Sequence, residues 1–565
     1  MRKPRPAPAL PISQIAIATL MALIACLALF APPLGAIGAS APAISLSRGY
    51  LATEVLGNGE TNWYSVELEE GGAILGEADQ EGVDVALDIY DPAGRKLLTI
   101  DSPNGAVGPE PIDFTAPVKG TFRMAIRQSS GSAPGRYKIA IRDILTADAN
   151  AARLAALRYP SPALASLWQQ ARKEPAAVER FVAGRTGKGP LIEAVAGDPS
   201  ARRVTYLYQA SPDTEAVRVS AGPHGASGGL LMSRFLQSSL FYASEIVPSD
   251  ARFTYGFASI ESQRLGPQGE VLISSDHFST DPLNPKSFGG RALLELPDAK
   301  PQSELADRPA VSKGRLSTAR IRSAALGETR PISIYQSPTS DRRRADLLII
   351  FDGQLYASKP DEDGVPVPTI LDNMVAEGRI GPVVALFIDN LPGRRDQDLS
   401  ANRAFNDFAA KELVAWARAH YRIADGPRHV VAIGSSLGGF AAVYCAFRHP
   451  ENVGNVLSQS GAFWLTEKGA TWRSPYPNPS GTGIAIELYR TAPRLAARFA
   501  LSVGRFEDST SLFAANREMR DVLLAKHYPV DYVELNGGHE PIAWRSSFAN
   551  SLTALIGTRR KGIHS

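Results

Sequence analysis

The sequence predicts a doubly wound α/β domain preceded by two all-β sandwich domains. Three observations carry this. From about residue 328, continuous apolar runs such as Ala345 to Phe351 and Val383 to Ile388 alternate with helical spacing, as buried parallel strands and their crossovers require. Residues 45–145 and 188–300 instead show short alternating runs closed by turn residues. At 565 residues the chain also exceeds one ordinary domain.

The N-terminus is read as processing signal rather than fold. Arg2, Lys3 and Arg5 precede an apolar run, Ile15 to Phe30, broken only by Thr19. Small residues Gly35 to Ala41 follow, so residues 1–41 are expected to be a secretory signal peptide. The run is shorter than the roughly 20 apolar residues of a spanning helix. No stable membrane span is therefore expected after cleavage, and the mature chain would be periplasmic or secreted. An uncleaved anchor is the less favoured reading. Cys26, in Leu23-Ile24-Ala25-Cys26, invites a lipidated reading, but the apolar run continues past it.

Composition narrows the function classes. Sixty basic residues against 57 acidic ones leave a net charge of +3. That balance gives no basic stripe for nucleic acid. Cys26 and Cys445 are the only cysteines, so the mature chain has no internal disulfide. The eight histidines lack paired-ligand spacing, and no metal site is expected.

Within 45–145, Trp63, Ser65 and Glu67 alternate with Tyr64, Val66 and Leu68. Val85 to Tyr90 runs into the turn Asp91-Pro92-Ala93-Gly94, and the strands Gly120 to Ile126 and Gly135 to Ile141 follow. These residues resemble the bacterial pre-peptidase C-terminal β-sandwich, a domain appended to many exported enzymes. Residues 146–187 are Ala-rich, broken by Pro160 and Pro162, and read as a helical linker. The second sandwich, 188–300, holds the strands Val204 to Tyr208, Val217 to Val219 and Arg252 to Phe257. A polar stretch, 297–325, leads onward, and the α/β domain is placed at 315–560. Its helix 403–421 follows from Phe405, Phe408, Leu413 and Trp416. Strands are expected at His429 to Ile433, Val453 to Leu457, Phe499 to Val503 and Tyr532 to Leu535, with helices between and after them.

Gly434-Ser435-Ser436-Leu437-Gly438 sits between the strand ending at Ile433 and the helix beginning near Leu437. A G-x-S-x-G motif in strand–turn–helix context is a nucleophile elbow, and it makes the domain an α/β-hydrolase with Ser436 as nucleophile. Four histidines lie downstream: His449, His527, His539 and His564. His539, in Asn536-Gly537-Gly538-His539 after the last strand, occupies the position this fold gives its base. The acid belongs after the preceding strand, where Glu507 and Asp508 compete. Asp508 is explained by capping the next helix, which leaves Glu507 free to face the histidine. The oxyanion donors would be the Leu437 amide and an amide of Asp352-Gly353-Gln354-Leu355, taken at Gln354, with Gly353 allowing close approach.

At these residues the chain resembles the enterochelin (enterobactin) esterases. Gly434 to Gly439 leads on to Leu457-Ser458-Gln459-Ser460-Gly461-Ala462-Phe463-Trp464. Asp352-Gly353-Gln354 matches the family's oxyanion loop, Gly537-Gly538-His539-Glu540 with Trp544-Arg545 its histidine block, and Arg395 to Phe405 its R-x-x-E-L-x-x-N-x-x-F spacing, with Asp398 for glutamate. Asp281 to Pro285 matches the segment between the family's N-terminal sandwich and its catalytic domain, so 188–300 resembles that N-terminal sandwich. Gly504-x-x-Glu507 places the family's acid at Glu507.

The resemblance implies hydrolysis of the ester (lactone) bonds of a catecholate siderophore such as ferric enterobactin, releasing iron. It implies no cofactor; iron arrives with the substrate. Arg395 and Arg545 would then bind the anionic complex, and Trp464 and Trp544 would pack against aromatic rings. The leader and the first β-domain depart from the usual cytoplasmic member. Two alternatives stand beside this reading. One is an esterase on feruloyl or acetyl polysaccharide esters, or an acyl transferase. The other is a siderophore- or carbohydrate-binding protein without turnover.

Overall fold

The computed structural model describes residues 42–102, 106–129, 134–211, 214–224, 229–261, 278–338, 340, 342–466, 483–507 and 511–558. The expected leader, Cys26 and Asp508 lie outside them. No helix among the described residues is long and apolar enough to cross a membrane.

The chain divides into two compact units, residues 1–160 and 161–565. The division falls inside the segment expected to be a linker. Helix Ala147–Arg158 belongs to the first unit, whereas Pro162–Lys173 and Ala177–Ala183 belong to the second. The latter two bury Leu164, Leu167, Ala171, Val178 and Val182, so they are packed structure and not spacer.

In the first unit one five-stranded and one four-stranded sheet share a single core. Alternation decides the facing: Tyr64, Val66 and Leu68 point inward from strand Thr61–Leu68, while Trp63, Ser65 and Glu67 do not. Tyr64 and Tyr137 meet hydroxyl to hydroxyl at 2.7 Å in that core.

In the second unit two further sheets are built from residues 191–295. One of their strands, Arg252–Glu261, packs on the last helix among the described residues, Pro541–Ile556. The core between the two sheets holds Val204, Tyr206, Phe253, Tyr255 and Phe257, together with one residue from far along the chain, Phe506.

The remaining sheet has eight strands: β1 (Arg315–Arg322), β2 (Thr329–Gln336), β3 (Asp346–Phe351), β4 (Val383–Ile388), β5 (Val430–Ser435), β6 (Asn455–Gln459), β7 (Arg498–Gly504) and β8 (Val530–Leu535). Their order is β1-β2-β4-β3-β5-β6-β7-β8. β2 pairs antiparallel to both neighbours, and the other pairs are parallel. This is an α/β-hydrolase-type domain with β-rich sheets upstream. β1 falls in the stretch expected as a polar linker. It is an edge strand, and its Arg-rich, largely exposed sequence suits an edge that must not recruit partners.

Four helices matter for the site: α1 (Gly353–Tyr356), α2 (Leu437–Arg448), α3 (Leu512–Ala525) and α4 (Pro541–Ile556). Leu347, Ile349 and Phe351 of β3 enter the core that α2 covers. Leu348 and Ile350 enter the opposite one, which α4 closes with Trp544, Phe548 and Leu552. Continuous apolar strands are thereby explained: both faces are buried.

Candidate functional site

The site is assembled along the C-terminal ends of the parallel strands, where ligands of open α/β sheets bind. Six non-glycine residues among those described have positive φ, and three of them sit here: Asp352 after β3, Ser436 after β5 and Ser460 after β6. Such backbone costs about 1–3 kcal/mol per residue and persists only where the surroundings enforce it.

Ser436 lies between β5 and α2 at φ 55°, ψ −122°. The flanking glycines are obligatory for contact reasons. A Cβ on Gly434 would lie 2.3 Å from the Gly438 carbonyl carbon, and one on Gly438 would lie 2.8 Å from Asp352 Oδ2. The Ser436 amide donates to the Gln459 carbonyl (2.9 Å), and its own carbonyl accepts from Ala462 (2.9 Å). The side chain is half-exposed.

The acid and histidine loops are bound to each other through backbone. Arg505 N–H donates to the Leu535 carbonyl (2.7 Å) and Phe506 N–H to that of Gly537 (3.0 Å). A Cβ on Gly504 would lie 2.4 Å from the Gly537 oxygen, so glycine is needed for the approach. This registration sets the buried Glu507 carboxylate against His539, with Oε2 3.1 Å from Nδ1. The other oxygen, Oε1, accepts from Ser460 Oγ (2.5 Å) and from the Gly504 amide (2.9 Å). Among the described residues His539 is hydrogen-bonded through Nδ1 alone, leaving Nε2 for another partner. It is not hydrogen-bonded to Ser436; such contacts often tighten only around substrate.

Two helix N-termini begin at the Ser436 and Asp352 turns. Leu437 is the first residue of α2 and Gln354 the second of α1, positions whose N–H groups have no intrahelical acceptor. The contact of Gly438 with Asp352 shows the two turns abutting. Gly353 is pressed onto the end of β4: a Cβ there would lie 2.8 Å from Ile388 N. The Gln354 side chain is not part of this; its Oε1 accepts from the Asn390 amide at 3.1 Å.

Expected substrate contacts fare differently. Arg395 is expected from the resemblance to bind an anion. Instead it forms a two-pronged pair with Asp352, Nε to Oδ1 at 2.7 Å and Nη2 to Oδ2 at 2.8 Å. Asp398 is buried against Arg330 at 2.8 Å. Arg545 likewise has partners within the chain. Its guanidinium donates to the carbonyls of Gly364 (2.5 Å), Pro360 (3.3 Å) and Glu362 and lies over the Phe288 ring. It clasps the loop 360–364 and is buried there. Trp544 is buried; its indole N–H donates to Ser460 Oγ (2.9 Å), and its ring meets His539 edge-on at 5.3 Å. It supports the Glu507–His539 pair from beneath and offers no open face. Trp464 is half-buried against the α2-side core.

Ser460 is the residue that sequence reasoning missed. It lies inside the Leu457 to Trp464 block, and a hydroxyl at the end of β6, next to the acid's strand, was the available signal. Among the described residues no group of three or more His, Cys, Asp or Glu could hold a metal ion.

Known proteins resemble this chain in sequence and fold. Residues 323–555 match the Esterase family, described as "Putative esterase". The iron(III) enterobactin esterase of Dickeya dadantii is 27% identical over 401 residues, covering 65% of this chain and 90% of that protein. The iron(III) salmochelin esterase of Escherichia coli O6:H1 is 27% identical over 391 residues, covering 65% and 91%. The crystal structure of the ferric enterobactin esterase from Salmonella typhimurium shares the fold, at 24% identity and TM-score 0.53, over 66% of this chain and 98% of that one. Residues 323–555 are thus an esterase domain, and the chain is a carboxylic ester hydrolase similar to the enterobactin esterases.

Proposed function

We propose that this chain is an exported serine esterase that opens the ester bonds of a catecholate siderophore and so frees its iron. The observation that carries the chemistry is the Glu507–His539 pair, registered by backbone bonds at the strand ends beside the Ser436 elbow. In this reading Ser436 Oγ attacks the ester carbonyl carbon while His539 Nε2 takes its proton. Glu507 holds the imidazole by Nδ1 and stabilises the cation that forms. The amides of Leu437 and Gln354 receive the negative oxygen. The alcohol leaves with the proton from His539, and water then hydrolyses the acyl-enzyme by the same steps. Iron enters as part of the substrate.

The siderophore rests on likeness to the Dickeya and Escherichia enzymes. The internally paired Arg395 and Arg545 lend it no support. Export rests on the basic and apolar leader in residues 1–41, and the β-rich regions are read as two sandwich domains ahead of the esterase domain. The test is mass spectrometry of products from ferric enterobactin and a neutral short-chain ester. Wild-type chain should yield linear serine-ester fragments. Ser436→Ala should lose at least about 10³-fold in kcat on both substrates while keeping its circular dichroism. Turnover by Ser436→Ala would remove the nucleophile, and inert siderophore with an active short ester would remove the substrate.

A further inference from the structure

Each member of the acid–histidine pair is followed or preceded by a residue inserted into the upstream sheets. Phe506, next to Glu507, lies in their hydrophobic core and meets Phe253 edge-on at 5.5 Å. Glu540, next to His539, has its carboxylate on Thr254: the backbone N–H lies 3.1 and 3.2 Å from the two oxygens, and the hydroxyl donates to Oε2 at 2.6 Å. Between them the Arg252 amide donates to the Asn536 carbonyl at 3.1 Å. Asn536 in turn donates to Asp250 at 2.6 Å. Three consecutive residues, Arg252 to Thr254, thus touch both loops of the site.

The Thr254 hydroxyl is directed as well as placed. Arg291 Nε donates to it at 3.1 Å, while Arg291 Nη2 is fixed on the Ser220 carbonyl at 2.8 Å. With one lone pair taken, the hydroxyl hydrogen is turned onto Glu540. We infer that Thr254 and Glu540 are positioning residues for the ester hydrolysis. Through them the strand Arg252–Glu261 sets where His539 stands relative to Ser436, so the upstream sheets are part of the catalytic apparatus.

The inference rests on the roles given above to Ser436 and His539. Its test uses the full chain and a neutral short-chain ester, with active sites counted by an organophosphorus titrant. Thr254→Val keeps the shape and removes the hydroxyl. It should lower kcat per titrated site about 10-fold with KM within about two-fold, the scale of a lost hydrogen bond to a charged group near the reacting atoms. Thr254→Ser should restore kcat to within about two-fold, and Glu540→Gln should behave like Thr254→Val, since its amide opposes the Thr254 N–H. Unchanged kcat in Thr254→Val, an equal loss in Thr254→Ser, or a loss explained by fewer titratable sites would overturn the inference. Ser436→Ala separates the two levels. If it is inactive while Thr254→Val is normal, only the positioning role fails. If it is active, the underlying roles fail and the inference with them.

Discussion

The two β-rich regions ahead of the esterase domain read alike in sequence and do different work. The first, residues 44–145, closes its core entirely with its own residues, Leu46 to Ile141. The second, residues 191–295, leaves a place in its core that Phe506 fills from the acid loop. It also supplies hydrogen-bond donors for the histidine loop through Arg252 and Thr254. Every group placed at the site above lies in the second unit. Period-2 patterning shows that a strand is half-buried, but not which partner buries it. A self-sufficient module and a structural half of an active site therefore look the same until packing is seen.

The largest effect expected is at the point the second region braces. Glu507→Gln keeps the volume and removes the charge that pairs with His539 Nδ1. kcat should fall about 10³- to 10⁴-fold, as when an orienting carboxylate becomes an amide. Asp508→Asn should change kcat by less than about three-fold, since the His539, Ser460 and Gly504 contacts all belong to Glu507. Steady-state rates of the two purified variants decide it, and the reverse order would move the acid to Asp508. The loss in Glu507→Gln also sets a ceiling: bracing by the second region cannot be worth more than the pair it braces.

The turn at Ser436 and the pairing of Glu507 with His539, proposed above as the reactive groups, were legible because such geometry forces local sequence. An elbow needs glycines where Gly434 and Gly438 stand, and the fold's chain order then points to one loop for the acid and one for His539. The arginines and tryptophans were not, for the opposite reason. A residue beside a motif can face either way, and long side chains choose partners far off in sequence. Arg395 reaches Asp352, 43 residues away, and passes over Asp398 three residues on. Arg545 faces the loop 360–364 from the first turns of α4, and Trp544 beside it faces Ser460. The docking of Thr254 on Glu540 is of the same kind, spanning 286 residues.

A smaller difference between the two regions is in how they answer to pH. In the first core the polar pair is Tyr64 with Tyr137. Burial raises both hydroxyls, that of Tyr137 to about 12, so the pair stays neutral through the physiological range. In the second, burial pushes Glu245 from its ordinary 4.5 to about 7, and the hydrogen bond from Tyr206 only partly opposes this. A carboxyl raised in the fold favours the folded state while protonated. Its contribution is complete below about pH 4.5 and is lost as pH rises through 7, a change of about 3 kcal/mol at most. Thermal melts of the full chain should show the second unit's transition falling between pH 5 and 8. Glu245→Gln, a mimic of the protonated form, should flatten that fall and leave the first unit's transition where it was. A slope that survives in Glu245→Gln would place the sensitive group elsewhere.

The smallest effect expected is none, and it comes from removing the first region outright. The place of the cut matters. A start at residue 185 strips helices Pro162–Lys173 and Ala177–Ala183, with their buried Leu164, Leu167 and Val178 and the bond from the Ala163 amide to Glu193 (2.9 Å). A start at Ser161 keeps them. Ser161 is the N-cap of the first of these helices, its Oγ accepting from Leu164 N–H at 3.2 Å, and Pro162 opens the helix at a position where no N–H is needed. The chain 161–565 also retains Phe253 with Phe506 and Thr254 with Glu540, so the bracing of the site is intact. On a short-chain ester its kcat and KM should both stay within about two-fold of the full chain, a difference below about 0.5 kcal/mol. Its melting transition should coincide with that of the second unit in the full protein. A fall in kcat per titrated site would mean that the first region also supports the chemistry, and the contrast between the two regions would then be one of degree.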